Sequence, residues 1–176
     1  MSAAPARLRL FYALWPDGAA RDRLAAWTRA AHANAGGRAM RPQNLHLTLA
    51  FLGDVDAARV DDVAAAASGI VVPSFELVLD RAGYWPHNRI VWAGASVVPA
   101  VLEQLVAELR ARLDARAVKH ERKPFVPHVT LLREAHPAVL PALAAVSWLV
   151  ERVVLVKSVP GDDYSIIASC PATPAA

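Results

Sequence analysis

A short motif occurs twice in this chain, and both copies show the alternating pattern of a β-strand. The copies are Leu45-His46-Leu47-Thr48-Leu49 and Pro127-His128-Val129-Thr130-Leu131. With six histidines and four threonines in 176 residues, chance predicts only about 0.14 pairs with this spacing. Two copies therefore indicate two related strands, and a fold in which each half of the chain supplies one of them.

Strand alternation gives the two faces of each motif strand different roles, because successive side chains point to opposite faces. On a strand predicted over 45–52, the residues expected to face a core are Leu45, Leu47, Leu49 and Phe51. His46 and Thr48 then share the other face. A second strand over 126–132 repeats the arrangement, with Val129 and Leu131 inward and His128 and Thr130 outward. If the strands lie side by side, these four polar groups face one groove.

The rest of the chain mixes strands and helices. Alternating apolar residues predict further strands at 8–14, 75–79, 89–93, 150–157 and 163–169. Helical spacing and capping residues predict helices from Asp17 to about Ala33, from Asp56 to Gly69, over 97–115 after Ser96, and near 138–146. Gly83 to Pro86 is predicted to be a turn. Intermixed elements with hairpin-like neighbours favour an α+β fold with mainly antiparallel sheet.

Composition limits the class of protein. With 55% apolar and 20% charged residues, we expect residues 1–176 to form a single two-lobed domain. The single cysteine, Cys170, is expected to be an inert residue in a reducing compartment, and no 18-residue apolar stretch or signal-like segment occurs. We therefore expect a cytoplasmic protein without membrane contact. A net charge of +3 without a dense basic block permits a phosphorylated or nucleic-acid partner but does not require one.

The paired motifs favour acid–base chemistry on a phosphate. Histidine titrates near neutrality, so one imidazole can accept a proton while the other donates one. Threonine hydroxyls can donate hydrogen bonds to phosphate oxygens. A metal site is the weaker interpretation, because no Cys, Asp or Glu accompanies the histidines in either motif.

At these residues the chain resembles the two-histidine phosphoesterases. It is most similar to the bacterial and archaeal RNA 2′,3′-cyclic phosphodiesterases, also called 2′-5′ RNA ligases (LigT/ThpR-like). The segments that carry the resemblance are residues 9–14, 41–53, 83–92 and 122–133. The resemblance implies a bilobal α+β fold, in which two mainly antiparallel sheets form a central groove with helices packed outside. It also implies a monomer without cofactor or metal.

The resemblance further implies hydrolysis of an RNA or nucleotide 2′,3′-cyclic phosphate to a 2′-phosphomonoester, with reversible 2′-5′ RNA ligation. By this analogy His128 is the general base, or proton acceptor, and His46 is the general acid, or proton donor. Thr48 and Thr130 would bind phosphate oxygens. Arg133 matches a family arginine that contacts phosphate, and its position in the alternation requires the strand to end, twist or bulge after Leu132.

Two other functions remain open at this point. The same site could serve another small cyclic phosphate, or the chain could be a non-catalytic RNA-binding module whose histidines only contact phosphate. Replacing the histidines separates the two classes, because a catalyst loses turnover and a binder loses affinity. The basic loop with Lys119, Arg122 and Lys123 is interpreted as a solvated loop that could guide RNA. Tyr84 and Trp85 are interpreted as core or turn packing rather than as a base-stacking surface.

Overall fold

The computed structural model describes residues 6–171, in which one large sheet lies beside a two-stranded one. The strands are β1 (Arg7–Leu14), β2 (Arg38–Ala39), β3 (Leu47–Asp56), β4 (Phe75–Leu79), β5 (Arg81–Trp85), β6 (Ile90–Gly94), β7 (His128–Arg133), β8 (Val146–Val150), β9 (Arg152–Ser158) and β10 (Ser165–Pro171). The helices are α1 (Gly18–Ala35), α2 (Val60–Ala67) and α3 (Ala100–Ala115). The predicted α+β class is therefore confirmed.

The two motif strands are neighbours in the centre of the large sheet. Its order is β10-β9-β1-β3-β7-β6-β5, β2 pairs with β7, and β4 and β8 form the smaller sheet. Every pairing is antiparallel. Between β3 and β7, the recorded pairing within residues 6–171 is limited to Leu47 with Val129. The large sheet is thus nearly divided at its centre, and each half carries one motif.

Each long helix packs on the half of the large sheet opposite to the strand that comes directly before it in the chain. α1 follows β1 but packs on β7 and β8, whereas α3 follows β6 but packs on α2 and β3. Both helices bury apolar faces against one continuous core, alanine-rich in α1 and leucine-rich in α3, and each fully buried leucine contributes about 2 kcal/mol. The Tyr12 hydroxyl donates to the Val63 carbonyl at 2.5 Å, which ties β1 to α2. No helix among residues 6–171 has the length and apolar content of a membrane span.

Two helix predictions require correction, both because of proline. α3 begins at Ala100 rather than at residue 97, since a residue that precedes proline avoids helical backbone and Pro99 follows Val98. The helix predicted near 138–146 is wrong, and residues 134–145 form no helix or strand. Pro137 and Pro141 limit helical hydrogen bonding there. The alternating burial of 146–150 instead belongs to β8. The Asp17 cap is confirmed, because its Oδ1 accepts from the Ala20 N–H at 2.7 Å.

Strand boundaries also differ from the sequence prediction, most clearly in β3 and around residues 83–86. β3 starts at Leu47 and continues through Gly53 to Asp56, because Gly53 adopts a φ of 68° at an irregular pairing with β1 rather than ending the strand. Residues predicted to form the turn at 83–86 lie mostly in β5, and the chain reverses over 86–89. Trp85 is thereby placed at the end of β5, which pairs with β6, the strand next to the second motif.

Candidate active site at the junction of β3 and β7

The strand register sets the two motifs against each other around an approximate two-fold axis. Leu47 pairs with Val129 in antiparallel orientation. The neighbouring positions in this register place Thr48 opposite His128 and His46 opposite Thr130. Each threonine therefore faces the histidine of the other motif. All four side chains are half-buried at the same surface of the sheet.

A bulge at the same position of each motif changes which face the later residues occupy. On β3, Ala50 and Thr48 pair with consecutive residues of β1, which leaves Leu49 as the extra residue. On β7, Leu132 and Thr130 pair with consecutive residues of β6, which leaves Leu131 extra. A bulge shifts the alternation by one residue. The next outward positions are therefore Phe51 and Arg133.

The bulges reverse the predicted face of Phe51 and supply the strand irregularity that Arg133 needs to reach the groove. Phe51 was expected to face the core with Leu49, but it is half-buried and packs with Phe11 on the groove side. Arg133 was expected to need an irregular strand, and the bulge at Leu131 supplies it one residue earlier than Leu132. Arg133 accordingly lines the groove and lies close enough to both histidines to influence their protonation.

His46 is held in one orientation by its own chain. Its Nδ1 lies 2.7 Å from the Asn44 carbonyl oxygen, which only accepts hydrogen bonds, so Nδ1 carries the proton of the neutral ring. Nε2 lies 3.1 Å from the Thr48 hydroxyl, which therefore donates to it. Trp15 stacks on the imidazole with a centroid distance of 5.5 Å and an angle of 10°. Phe11 and Tyr164 contact its remaining faces at 4.8 and 5.3 Å.

His128 is held in the same way from the other half. Its Nδ1 donates to the Val126 carbonyl at 2.8 Å, again two residues before the histidine. Nε2 is therefore the unprotonated, basic nitrogen of the neutral ring in both motifs. The edge of the Trp85 ring contacts His128 at 4.6 Å, and Trp92 packs against Trp85 at 5.3 Å. Trp92 lies flat on Gly83, where an added Cβ would stand 2.3 Å from the indole, so only glycine permits this pair of rings.

Burial keeps both imidazoles neutral in the free protein. The pKa of His46 is lowered to about 4, mainly by desolvation and to a smaller extent by the positive charge of Arg133, whereas the hydrogen bond to Asn44 acts in the opposite direction. Desolvation also lowers the pKa of His128, again with a contribution from Arg133. An anion that enters the groove would offset both effects. The site is therefore prepared to gain a proton together with a negatively charged ligand.

Two cavities of different chemistry flank the histidines. The cavity on the His128 side has a volume of about 440 Å³, and its aromatic lining residues are Phe51, Trp85 and Phe125. The cavity on the His46 side has a volume of about 720 Å³, and its arginines are Arg9, Arg38, Arg41 and Arg133. Asn44 and Tyr164, which contact His46, also line this second cavity. The site thus has an aromatic side and an arginine-rich side.

The segment that holds His46 is fixed by one carboxylate from the distant β9–β10 loop. Asp163 accepts from Arg41 Nη1 at 2.7 Å, from Gln43 Nε2 at 3.1 Å and from Asn44 Nδ2 at 3.3 Å. The Asn44 side-chain oxygen accepts in turn from the Tyr164 backbone N–H at 3.1 Å. Hydrogen bonds from Arg41 and then Gln43 lower the pKa of Asp163, which is therefore charged at neutral pH.

Replacing Asp163 with asparagine tests this positioning role. We expect Asp163→Asn to lower kcat about tenfold, because the Asn44 carbonyl that orients His46 loses its anchor. Binding of a phosphorylated product should change less than twofold, since no residue that faces the groove is removed. Steady-state kinetics with product-inhibition constants separates the two quantities. Asp54→Asn, at an exposed carboxylate of β3, is the charge-matched control. An unchanged kcat in Asp163→Asn would contradict the role.

Several of these residues could not be identified from the sequence. Phe11, Trp15 and Tyr164 surround His46 but come from two distant segments, β1 with the residue after it and the β9–β10 loop, and nothing in their spacing distinguishes them from core residues. Trp85 was interpreted as packing, yet it contacts His128 and lines the aromatic cavity. Tyr84 does serve a packing role, and its hydroxyl donates to the Ala135 carbonyl at 3.3 Å.

The basic loop is exposed to solvent, and two of its cations form surface ion pairs. Arg122 donates to both oxygens of Asp114 at 2.9 and 2.6 Å, and Lys123 lies 3.0 Å from Glu121. Lys123 also lines the aromatic cavity. The exposure of these residues agrees with the interpretation of the stretch as a solvated loop. The sequence prediction that it could guide RNA stays untested.

Known proteins resemble this chain both in amino-acid sequence and in fold. The family model described as LigT-like phosphoesterase matches residues 14–92. The RNA 2′,3′-cyclic phosphodiesterase of Escherichia coli is 37% identical over 140 residues, which cover 80% of each chain. That of Thermus thermophilus is 32% identical over 162 residues, which cover 86% of this chain and 82% of the relative.

Solved structures agree with the sequence comparison over nearly the whole length. The crystal structure of E. coli LigT complexed with 3′-AMP superposes with a TM-score of 0.84 and 33% identity, covering 96% of this chain and 99% of the other. The structure of the T. thermophilus protein TT0787 gives a TM-score of 0.79 at 28% identity, covering 93% of this chain and 97% of the other. With these levels of identity and coverage, the chain belongs to the LigT-like phosphoesterase family.

Proposed function

We propose that this protein hydrolyses the 2′,3′-cyclic phosphate at the end of an RNA or nucleotide to a 2′-phosphomonoester, acting as a cytoplasmic monomer. The observation that carries the proposal is the pair of imidazoles on adjacent antiparallel strands. Each has Nδ1 fixed by a backbone carbonyl, which leaves Nε2 as the nitrogen that can accept a proton. The names of the relatives, and the 3′-AMP in the E. coli LigT complex, support a nucleotide substrate.

In the proposed reaction His128 Nε2 removes a proton from water as its oxygen attacks phosphorus. The bond from phosphorus to O3′ breaks on the opposite side, and His46 Nε2 gives its proton to the departing O3′. The 2′-oxygen keeps the phosphate, so the product is a 2′-phosphomonoester with a free 3′-hydroxyl. Water is the only co-reactant, and the two imidazoles supply both proton transfers.

The contact between His46 and Thr48 gives the threonine a state-dependent role. While His46 is neutral, the Thr48 hydroxyl donates its proton to Nε2 and has none to offer a phosphate. Once His46 is protonated, Nε2–H donates to the hydroxyl oxygen, and the Thr48 proton becomes available to a phosphate oxygen. Protonating the acid and preparing the phosphate site are thus one event. Thr130, opposite His46 in the register, would contact a second phosphate oxygen.

Arg133 completes the proposed phosphate site. Its guanidinium would pair with the non-bridging oxygens and stabilise the charge that builds up on phosphorus in the transition state. Without substrate, the same charge lowers the pKa of both histidines. A bound phosphate neutralises this effect and allows His46 to be protonated. Arg133 therefore links substrate binding to the activation of the acid.

The proposal is tested on an RNA oligonucleotide that ends in a 2′,3′-cyclic phosphate, incubated with the protein in EDTA. We expect phosphorus NMR to show a 2′-phosphomonoester, since both proton transfers come from side chains. A 3′-phosphomonoester would mean that O2′ leaves instead of O3′, which would contradict the proposed protonation of O3′ by His46. Bound RNA without any product would support the alternative of an RNA-binding module. A nucleotide with a 3′,5′-cyclic phosphate serves as the negative control substrate.

A specific feature of the site also favours 2′-5′ RNA ligation as a second activity. The side from which the attacking group approaches, next to His128, opens into the aromatic cavity of about 440 Å³. One water needs only about 30 Å³. A nucleoside with a free 5′-hydroxyl fits this space, with its base against Trp85. Its oxygen would replace water as the attacking group, and the product would be a 2′-5′ linkage with a free 3′-hydroxyl.

Trp85 provides the test that separates ligation from hydrolysis. In a mixture of cyclic-phosphate RNA and 5′-hydroxyl RNA, we expect Trp85→Ala to lower the ratio of ligation to hydrolysis about tenfold. The stacking contact affects only the RNA acceptor, because water does not need it. Trp85→Phe keeps an aromatic ring and should retain most of the ratio. Equal losses of both products in Trp85→Ala would show that the ring only supports His128.

A further inference from the structure

The arginine-rich cavity next to His46 holds more positive charge than one phosphate requires. Arg41 is already bound to Asp163 at 2.7 Å, and Arg38 has only a distant partner in Glu134 at 3.7 Å, with both side chains mostly exposed. Exposed pairs of this kind contribute little. Within residues 6–171, Arg9 and Arg133 have no carboxylate within 4 Å.

Acidic groups do not cancel this charge. Asp162 is the carboxylate that lines the cavity, and Asp163 is occupied by three donors. In the proposed reaction Arg133 binds the reacting phosphate. Arg9 and Arg38, which line the same cavity, have no close carboxylate partner in the described part of the chain and are available to bind another anion. Forked guanidinium groups are suited to phosphate oxygens. The cavity therefore has the chemistry of a site for a second phosphate.

The position of Arg9 on β1 places its side chain near the residues that surround His46. Arg9 precedes Phe11 by two residues on the same face of β1, and the Phe11 ring contacts His46 at 4.8 Å. Two residues along a strand span about 7 Å. The Arg9 guanidinium also lies over the Phe51 ring, 4.9 Å from its centre, which fixes its direction towards the groove. Arg9 thus lies close to the surroundings of His46 and lines the same cavity as Arg133.

We infer that this cavity binds the phosphate on the 5′ side of the terminal nucleoside, as a second subsite that selects RNA ends over isolated cyclic nucleosides. The inference rests on the proposed function, in which His46 protonates O3′. The ribose that bears O3′, and the chain attached to its 5′ carbon, then lie on the His46 side. That side is the one lined by Arg9 and Arg38.

Three substrates test the subsite. The first is a nucleoside 2′,3′-cyclic phosphate, the second carries an additional 5′-phosphate, and the third is a dinucleotide with the same cyclic end. We expect kcat/KM for the dinucleotide to exceed that for the first substrate at least tenfold, with an advantage that falls as salt is added. The 5′-phosphorylated substrate shows whether any phosphate at this position is sufficient or a phosphodiester is required.

Matched arginine variants assign the advantage to this cavity. Arg9→Gln and Arg38→Gln should each lower the ratio of dinucleotide to nucleoside kcat/KM several-fold, and Arg9→Lys should retain most of it through its charge. Arg29→Gln, at an exposed position of α1 outside the cavity, should leave the ratio unchanged. Both arginines are exposed, so folding is preserved and is checked by thermal denaturation.

The outcomes distinguish the subsite from the proposed function itself. Equal kcat/KM for all three substrates with the wild-type protein would overturn the subsite while leaving the hydrolase intact. An advantage that survives in both glutamine variants would also overturn it. If no substrate is hydrolysed, the proposed function fails, and the inference fails with it.

Discussion

Replacing either motif histidine is expected to lower kcat for 2′,3′-cyclic phosphate hydrolysis about 10³-fold. General acid or base catalysis contributes about 10²- to 10⁴-fold, and in the proposed reaction each imidazole serves one of the two proton transfers. His46→Gln and His128→Gln are the preferred variants, because glutamine keeps much of the side-chain volume and cannot exchange protons. The double variant should be little worse than either single one, since the two groups act in one step. Single-turnover rates measure the effect.

Binding separates this result from the alternative of a module that only binds RNA. Affinity for RNA with a 2′-phosphate end should remain within about threefold in both glutamine variants, because Arg133 and the threonines still contact the phosphate. His136→Ala, at an exposed histidine outside both cavities, is the control and should retain full activity. A loss of affinity that parallels the loss of turnover would mean that the histidines act as phosphate contacts.

The central part of the fold could be predicted because one repeated motif carries it. Two His-x-Thr segments with apolar alternation are sufficient to predict two similar strands, and the structure places β3 and β7 side by side. The faces of His46, Thr48, His128 and Thr130 follow from the same alternation, because all four precede the bulges. Sequence periodicity is reliable up to the first irregularity of the strand.

Beyond the bulges, strand alternation predicts the wrong face for Phe51 on β3. On β7 it places Arg133 in the groove only if the strand is irregular. Leu49 and Leu131 are indistinguishable in sequence from ordinary inward residues, yet each is the extra residue of its strand. As a result, two consecutive residues are buried in each strand, at 49–50 and at 131–132. A strict alternation with a period of two does not allow this. The position of Phe51 was therefore predicted wrongly, whereas the resemblance to a known family pointed to Arg133.

The surroundings of the histidines depend on contacts between distant segments. Asp163 lies 119 residues from Asn44, and no periodicity joins the β9–β10 loop to the segment before β3. The aromatic rings around His46 show the same difficulty, because Phe11, Trp15 and Tyr164 have no common spacing with it. Arg9 could be identified from the sequence as an outward-facing residue, because it alternates with leucines at the start of a strand. That it lines the arginine-rich cavity could not be predicted without the position of the groove.

The pH dependence of catalysis is the second large effect that the site predicts. We expect kcat/KM to fall about tenfold per pH unit above pH 6.5, whereas enzymes with unperturbed histidines have an optimum near neutrality. The active free form needs His46 protonated and His128 neutral. Burial lowers the pKa of His46 to about 4 and that of His128 below its ordinary value of 6.5. Both limbs of the profile therefore lie on the acidic side of 6.5.

Arg133 and the substrate should move this profile in a defined direction. Removing the positive charge in Arg133→Met raises the pKa of both histidines, so the alkaline limb of kcat/KM moves to higher pH even though the rate falls. A bound phosphate anion acts in the same direction, so the alkaline limb of kcat in the wild-type protein should lie above that of kcat/KM. Profiles from pH 4.5 to 9 in buffers of constant ionic strength measure both shifts. A flat kcat/KM between pH 6.5 and 8 would show that the histidines keep ordinary pKa values, and the coupling between Arg133 and His46 would have to be abandoned.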